Sequence, residues 1–328
     1  MIISKTPLRI SFFGGGTDYP DYFKQHGGAV LSSSIDKYIF ITVNKISPIN
    51  DSKYKLTYSK LEKCDSIEEI AHPSIKACLQ FLDINEGLEI HVVSELPAKT
   101  GLGSSSSFTV GLLNALYVFK GQMVSKTRLA DEAIYVEQQL IGEKVGNQDQ
   151  AAAAFGGFNR IDFHHDGTLT ATPVILQAER KEQLNNNLLL FYTGVTRYAE
   201  EVLKEQVEKT KQGSIAKDLS AIRSMVDEGL DLLSSGRDLK EFGALLNRAW
   251  LSKRSLSSGI SNDYLNEMYE KAINAGAGGG KLLGAGGGGF FMFYVEPEKQ
   301  LSVRTALKDY LEVAFNMQND GSSIIFIH

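Results

Sequence analysis

From Pro97 to Ser107 the chain reads Pro-Ala-Lys-Thr-Gly-Leu-Gly-Ser-Ser-Ser-Ser, and this segment constrains the fold more than any other. A strand at Leu88–Val93 precedes it. Phe108, Val110, Leu112, Leu113, Leu116 and Tyr117 follow with the 3.6-residue period of a buried helix. Gly101 and Gly103 let the backbone turn with its N–H groups inward, and Ser104, Ser105, Ser106 and Ser107 then start the helix. A helix start offers free N–H groups and a positive dipole end, which together make an anion site. Serine hydroxyls add donors to phosphate oxygens and can ligate Mg2+. One serine would suffice to cap the helix. Two glycines and four serines in seven residues favour phosphate binding over capping alone.

Glycine is abundant elsewhere too. Nine of the 31 glycines fall in the fourteen positions from Gly276 to Gly289. Two familiar phosphate loops fail there. The G-x-x-x-x-G-K-[ST] loop would need glycine at 275 and serine or threonine at 282, where the chain has Ala275 and Leu282. Gly284, Gly286 and Gly289 spell G-x-G-x-x-G, but that fingerprint opens a helix, whereas Phe290–Val295 reads as a strand. The run is better read as side-chain-free backbone packed close to a bound phosphate or sugar.

A third segment, Arg9 to Tyr19, is a strand ending in Gly14-Gly15-Gly16 and followed by Thr17 and Asp18. Arginine and aspartate beside an open backbone suit a polyol, and equally suit a hairpin turn with a surface ion pair. Two further carboxylates stand out. Glu137 lies on a helix expected over 125–141, and Asp149 leads into Ala151–Ala154, a segment that faces something tightly packed. Either could be an ordinary solvated side chain, but a carboxylate entering such a segment is more often partnered or functional.

The rest of the chain bounds the class of protein. With 34 basic and 39 acidic residues the net charge is −5 and the isoelectric point near 5.8, so no nucleic-acid footprint is expected. An apolar share of 43% is too high for disorder. No apolar run approaches the length of a membrane span. The first residues lack an apolar core of signal-peptide length, so a cytoplasmic protein without membrane contact is expected. Cys64 and Cys78 read as free buried thiols, and His164-His165 as hairpin surface. Strands dominate residues 1–45, a helix begins near Asn147, and Phe158–Phe163 and Leu169–Ile175 flank a hairpin turn. After the strand at 188–192 comes a long, mostly helical tract to Ala275, then the glycine run, the strand Phe290–Val295 and a last helix near 298–311. A domain boundary is placed near residue 187, giving units 1–187 and 188–328.

These segments, in this order, resemble the family of galactokinase, homoserine kinase, mevalonate kinase and phosphomevalonate kinase, across essentially the whole chain. PAKTGLGSSSS resembles that family's central phosphate loop, TPLRISFFGGGTDY its N-terminal sugar motif and KLLGAGGGGFFMF its C-terminal glycine motif. GNQDQAAAAFGG matches where the family keeps its catalytic aspartate.

The resemblance implies a two-domain α+β fold, with an N-terminal domain like ribosomal protein S5 domain 2 and a ferredoxin-like C-terminal one. It implies Asp149 as catalytic base, with Arg9 orienting the hydroxyl and steadying charge. Pro97 and the backbone of Gly101, Leu102, Gly103 and Ser104–Ser107 would wrap the ATP phosphates, and Ser105 and Glu137 would hold Mg2+. Gly15, Gly16, Thr17 and Asp18 would meet the sugar, and Gly286, Gly287 and Gly288 would close beside the phosphate loop. Gly14-Gly15-Gly16-Thr17-Asp18 departs from the Gly-Glu-His-Thr-Asp of galactokinases. It is similar to bacterial D-glycero-D-manno-heptose 7-phosphate kinases, which phosphorylate the anomeric oxygen in surface-polysaccharide synthesis. Fucokinases share a related motif, and a noncatalytic sugar sensor on this scaffold is a further alternative. For the substrate's own phosphate, Arg197 after Thr193 is the candidate, against an exposed arginine with a routine cap. A monomer or homodimer is expected.

Overall fold

The computed structural model describes residues 1–47, 49–195, 205 and 207–328. Thirteen strands and ten helices are followed among them, beginning with β1 (Ile2–Phe13), α1 (Pro20–His26) and β2 (Gly28–Lys45). β2 is 18 residues long and organises the first half. Its first part pairs with β6 (Phe158–Phe163) and its second with β5 (Leu88–Ser94), while β1 runs antiparallel along most of its length. The β1–β2 register shifts between Pro7 and Arg9 and again between Ser11 and Phe13. Such irregularities re-aim side chains locally, and here they flank the arginine singled out above.

Strands β3 (Tyr54–Thr57) and β4 (Leu61–Cys64) extend this sheet beyond β5, with β3 parallel to β5 and β4 antiparallel to β3. β7 (Leu169–Pro173) closes the hairpin with β6. Helices α2 (Pro73–Phe81), α3 (Ser104–Phe119), α4 (Lys126–Tyr135) and α5 (Gln148–Phe155) complete this half. α3 is buried from Ser106 to Tyr117 and packs on β1 and β2. Its apolar residues join Leu8, Ile10, Ile41 and Ile90 in the main core.

After α6 (Ala178–Asn186) a second, four-stranded sheet is built from β8 (Leu188–Tyr192), β9 (Gly279–Leu282), β10 (Phe290–Tyr294) and β11 (Leu311–Glu312), in the order β11-β8-β10-β9. The helical tract resolves into α7 (Ala216–Ser234), α8 (Lys240–Ser255) and α9 (Asp263–Asn274), with α10 (Pro297–Ala306) after the sheet. Phe191, Trp250, Tyr269, Phe291 and Phe293 form a second core. The result is α+β with two sheets. β8 begins just after residue 187, but β12 (Met317–Gln318) and β13 (Ser323–Ile327) return to pair with β2 and β1. The end of the chain is therefore part of the first sheet.

β9 was hidden in the sequence because three of its four residues are unfavourable or unusual for a strand (Gly279, Gly280, Lys281). A Cβ on Gly279 would stand 2.0 Å from the carbonyl oxygen of Gly243, so α8 lies directly on this strand. Gly276, Gly278 and Gly280 face Lys299, Tyr294 and Phe293. The front of the glycine run thus packs the second sheet and its helices. The sequence reading put a phosphate or sugar against the whole run; these four glycines meet protein atoms instead. Among the described residues no helix is long and apolar enough to cross a membrane. Cys64 and Cys78 are free and buried, as expected.

Candidate active site

The phosphate-loop segment turns through Gly101 (φ +83°) and Gly103 (φ +75°), both in the left-handed region that favours glycine. Gly103 is the N-cap of α3 and supplies no side-chain cap. The serines do not cap the helix either, and two of them are tied elsewhere. Ser107 donates to the Pro7 carbonyl at 2.8 Å, and Ser106 donates to Glu137 Oε2 at 2.9 Å. A sixteen-residue helix therefore presents an uncapped positive end. Ser104 is buried and Ser105 exposed at this end. The Pro97 carbonyl accepts from the Thr100 hydroxyl at 2.9 Å, which closes the preceding turn.

Arg9 leaves β1 beneath this loop. Its Nη1 donates to the Gly101 carbonyl at 2.6 Å, and its backbone N–H donates to the carbonyl of the buried Leu102 at 3.1 Å. Nε and Nη2 both reach Asp149 Oδ1, at 2.8 and 2.7 Å. Asp149 sits in the first turn of α5 with its side chain 27% exposed, and Oδ2 has no hydrogen-bond partner among the described residues. The sequence paired Arg9 with Asp18 as one alternative; the structure pairs it with Asp149.

The Gly14–Asp18 turn is closed on itself. The Thr17 hydroxyl lies 2.8 and 2.9 Å from the Gly14 and Ala29 carbonyls and accepts from the Ala29 N–H at 3.1 Å. Asp18 is 1% exposed: Oδ1 accepts from the Gly16 N–H at 2.9 Å and Oδ2 from the Gln148 N–H at 3.3 Å. Burial raises its pKa against the Gly16 hydrogen bond, and the charge of Asp149 adds to the rise. Thr17 and Asp18 therefore turn their side-chain oxygens inward onto backbone groups, whereas the resemblance implied that they meet the sugar. Asp18 instead fixes the start of α5, since its carbonyl also accepts from the Asn147 N–H. Gly15 is less crowded, with only the Gln148 amide near its missing Cβ.

The second carboxylate is reached through an uncommon backbone. α4 continues as a π-helical turn, Val136–Ile141, ended by Gly142 at φ +82°. π-turns are rare and concentrate at functional sites. Glu137 is 1% exposed within it, and Oε2 accepts from Ser106 and from the Gln150 amide. Burial, with a smaller push from Glu143, raises its pKa to about 7 against the opposing effects of the Thr109 and Ser106 hydroxyls and the Gln150 amide. Oε1 is buried without a partner. Ser106 is the serine hydrogen-bonded to this carboxylate, while Ser105, expected to share Mg2+ with Glu137, is exposed at the helix start.

The later part of the glycine run does meet the phosphate loop, through different residues from those expected. A Cβ on Gly284 would lie 2.4 Å from Gly101 Cα, and one on Gly289 would lie 2.3 Å from the Thr100 carbonyl oxygen. Gly286 packs against Ile260, Gly288 against the Val195 carbonyl, and the Gly287 N–H donates to the Ile260 carbonyl. Gly286–Gly288 thus pack on Ile260 and Val195, while Gly284 and Gly289 abut Gly101 and Thr100. Arg197 lies outside the described residues.

Two residues escaped the sequence reading. Lys253 on α8 and Lys281 on β9 are buried and bring their ammonium groups to Gly284 and Phe12 carbonyls. Lys253 lies on the same helix face as the buried Phe242, Leu246, Ala249 and Trp250, a placement visible as a lysine on an apolar stripe. Lys281 is the one charged residue inside the glycine run.

The family models for the GHMP kinases N terminal domain and GHMP kinases C terminal match residues 69–157 and 221–313. A D-glycero-alpha-D-manno-heptose 7-phosphate kinase of Campylobacter jejuni is 31% identical over 321 residues, covering 94% of this chain and 93% of its own. A galactokinase of Pyrococcus furiosus is 28% identical, covering 94% of each chain. A crystal structure described as a D-glycero-D-manno-heptose 1-phosphate kinase from Bacteriodes thetaiotaomicron superposes with a TM-score of 0.82 at 24% identity, over the full length of both chains. The last of these shows the shared fold.

Proposed function

The chain belongs to the GHMP kinase family, and from that premise we propose that it phosphorylates the anomeric hydroxyl of D-glycero-D-manno-heptose 7-phosphate with ATP, giving the 1,7-bisphosphate. That it is a kinase acting on a sugar follows from the family and its relatives. The heptose rests on the Gly14–Asp18 form of the sugar motif together with the C. jejuni relative.

The observation that carries the reading is the polarised carboxylate of Asp149. Arg9 occupies Oδ1 with two nitrogens and leaves Oδ2 open at the edge of an uncapped helix end. In the proposed step Oδ2 accepts the proton of the anomeric hydroxyl as that oxygen attacks the terminal phosphorus and ADP leaves. Phosphoryl transfer asks the protein mainly for positioning and charge stabilisation. The N–H groups at the start of α3 and the guanidinium of Arg9 would meet the charge on the transferred group. Arg9 also donates to the Gly101 carbonyl, so one side chain sets the distance between phosphate loop and base.

The unpartnered, buried Oε1 of Glu137 fits a hard cation, and a cation there would offset the cost of burying the carboxylate. Glu137 and Ser106 would hold Mg2+, with Ser105 at the exposed side of the loop. When bound with ATP, Mg2+ neutralises phosphate charge.

The test is a panel of D-glycero-D-manno-heptose 7-phosphate, mannose, fucose and galactose with Mg-ATP, following ADP release and locating the new phosphate by NMR. Turnover of the heptose phosphate at the anomeric position, well above the other sugars, supports the assignment. Preferred turnover of fucose or galactose would replace it.

A further inference from the structure

The second half of the chain contributes two cations to a site whose other charged groups come from the first half. Lys253 is 8% exposed and Lys281 4% exposed. Each ammonium carries three donors. One from Lys253 goes to the Gly284 carbonyl, and one from Lys281 goes to the Phe12 carbonyl at 3.0 Å. Neither has a carboxylate at ion-pair distance among the described residues, although both feel Asp18 and Arg9, and Lys253 also feels Asp149.

Those carboxylates are already engaged. Asp149 Oδ1 is held by Arg9, and both oxygens of Asp18 accept backbone N–H groups. Three basic side chains, Arg9, Lys253 and Lys281, therefore share this space with two carboxylates, of which Asp18 is buried and Asp149 partly exposed. Buried charges are costly unless paired and fully hydrogen-bonded. Burial, with Arg9 adding to it, lowers the pKa of Lys253 to about 8, and Asp18 and Asp149 oppose the fall. Burial also holds Lys281 well below its ordinary value, and the Lys253 charge adds to this. An incoming dianion would complement both ammonium groups at once.

We propose that Lys253 and Lys281 form a phosphate-recognition subsite beside Arg9 and Asp149. The inference rests on the phosphotransferase reading above. A phosphate group could come from two sources, the acceptor's own ester or the terminal group of the nucleotide. Lys253 stands next to both possibilities, since Gly284, which it holds, packs on Gly101 of the phosphate loop.

Calorimetric titration of the wild type, Lys253→Met and Lys281→Met yields two preference ratios. The first compares heptose 7-phosphate with unphosphorylated heptose, and the second compares Mg-AMP-PNP with Mg-ADP. Loss of a charge-assisted hydrogen bond predicts that one ratio falls by about 10- to 100-fold in Lys253→Met, and that Lys253→Arg retains part of it. A fall in the first ratio assigns the subsite to the acceptor, and a fall in the second assigns it to the nucleotide. If both ratios stay at wild-type values in both Met variants, the lysines merely clamp the backbone and the proposal is overturned. A wild type with no preference for the phosphorylated heptose would refute that acceptor, and the nucleotide ratio alone would then decide the role of the lysines. Circular dichroism identifies a variant that fails to fold, in which case Lys253→Arg and Lys281→Arg carry the comparison. Unchanged ratios in those variants, despite the altered donor geometry, would also overturn it.

Discussion

Arg9 places two nitrogens on a single oxygen of Asp149, at 2.8 and 2.7 Å, and leaves the other oxygen without a partner. The pair joins β1 to the first turn of α5, so the orientation of the Asp149 carboxylate is set from the sheet as well as from its own helix. Arg9 is itself fixed at its third nitrogen by the Gly101 carbonyl. Asp149, the Gly101 turn and the sheet are thus connected through one side chain.

If Asp149 takes the proton, Asp149→Asn lowers kcat by roughly 10²–10⁴-fold with KM for ATP little changed. Thermal melting checks that the fold survives. A fall of less than about threefold would show that Asp149 positions substrate without acting as base.

Ser105 and Ser106 are neighbours with different surroundings, and their alanine variants separate the two. Ser106→Ala removes the hydrogen bond to the buried Glu137 and costs about 1 kcal/mol or more of stability in urea unfolding. Ser105→Ala, at an exposed position, stays within about 0.5 kcal/mol of wild type. Equal losses at both positions would contradict the pairing found here.

The raised pKa of Glu137 makes a stability-against-pH prediction. Its folded value of about 7 lies above the ordinary 4.5, so between these two the folded state holds a proton that the unfolded state has lost. Stability linked to this group is full below about pH 4.5 and falls as pH rises through 7, by roughly 3 kcal/mol in total. Glu137→Gln flattens that part of the profile in metal-free buffer. Mg2+ should stabilise the wild type most at the upper end of the window. A wild-type profile that rises from pH 4.5 to 7 with Glu137 as its source would overturn the assignment.

Gly284 and Gly101 face each other with no room for a side chain. Gly284→Ala places a methyl group 2.4 Å from Gly101 Cα at φ +75°, combining a clash with a left-handed backbone. Gly121→Ala is the control, because its φ is +70° but nothing lies within 4 Å of the added methyl. The control shows only the backbone cost of about 1 kcal/mol. Gly284→Ala loses more stability than this and raises KM for ATP, measured by urea unfolding and steady-state kinetics.

The local parts of this protein were legible in its sequence. Gly101 and Gly103 announced a turn with positive φ, the serines and apolar period announced α3, and the alanines after Asp149 announced a tightly packed α5. Each depends on backbone preferences and periodicity within a few residues. The partners of those side chains were not legible in this way. One step along a helix turns a side chain by about 100°, so whether Ser105 or Ser106 meets Glu137 depends on how α3 is rotated against a π-turn. Asp18 was read as a sugar ligand because its neighbours form a motif, yet the closing of that turn against α5 buries both its oxygens. Lys253 and Lys281 lie far along the chain from Arg9. Only the packing of α8 on β9, and of β9 toward the end of β1, places their charges beside Asp149. The sequence by itself determined the glycine turn, the helix after it and most of the flanking helices and strands. The tertiary structure decided which charged groups share one buried space, because electrostatic pairing depends on distance in space and not on separation along the chain.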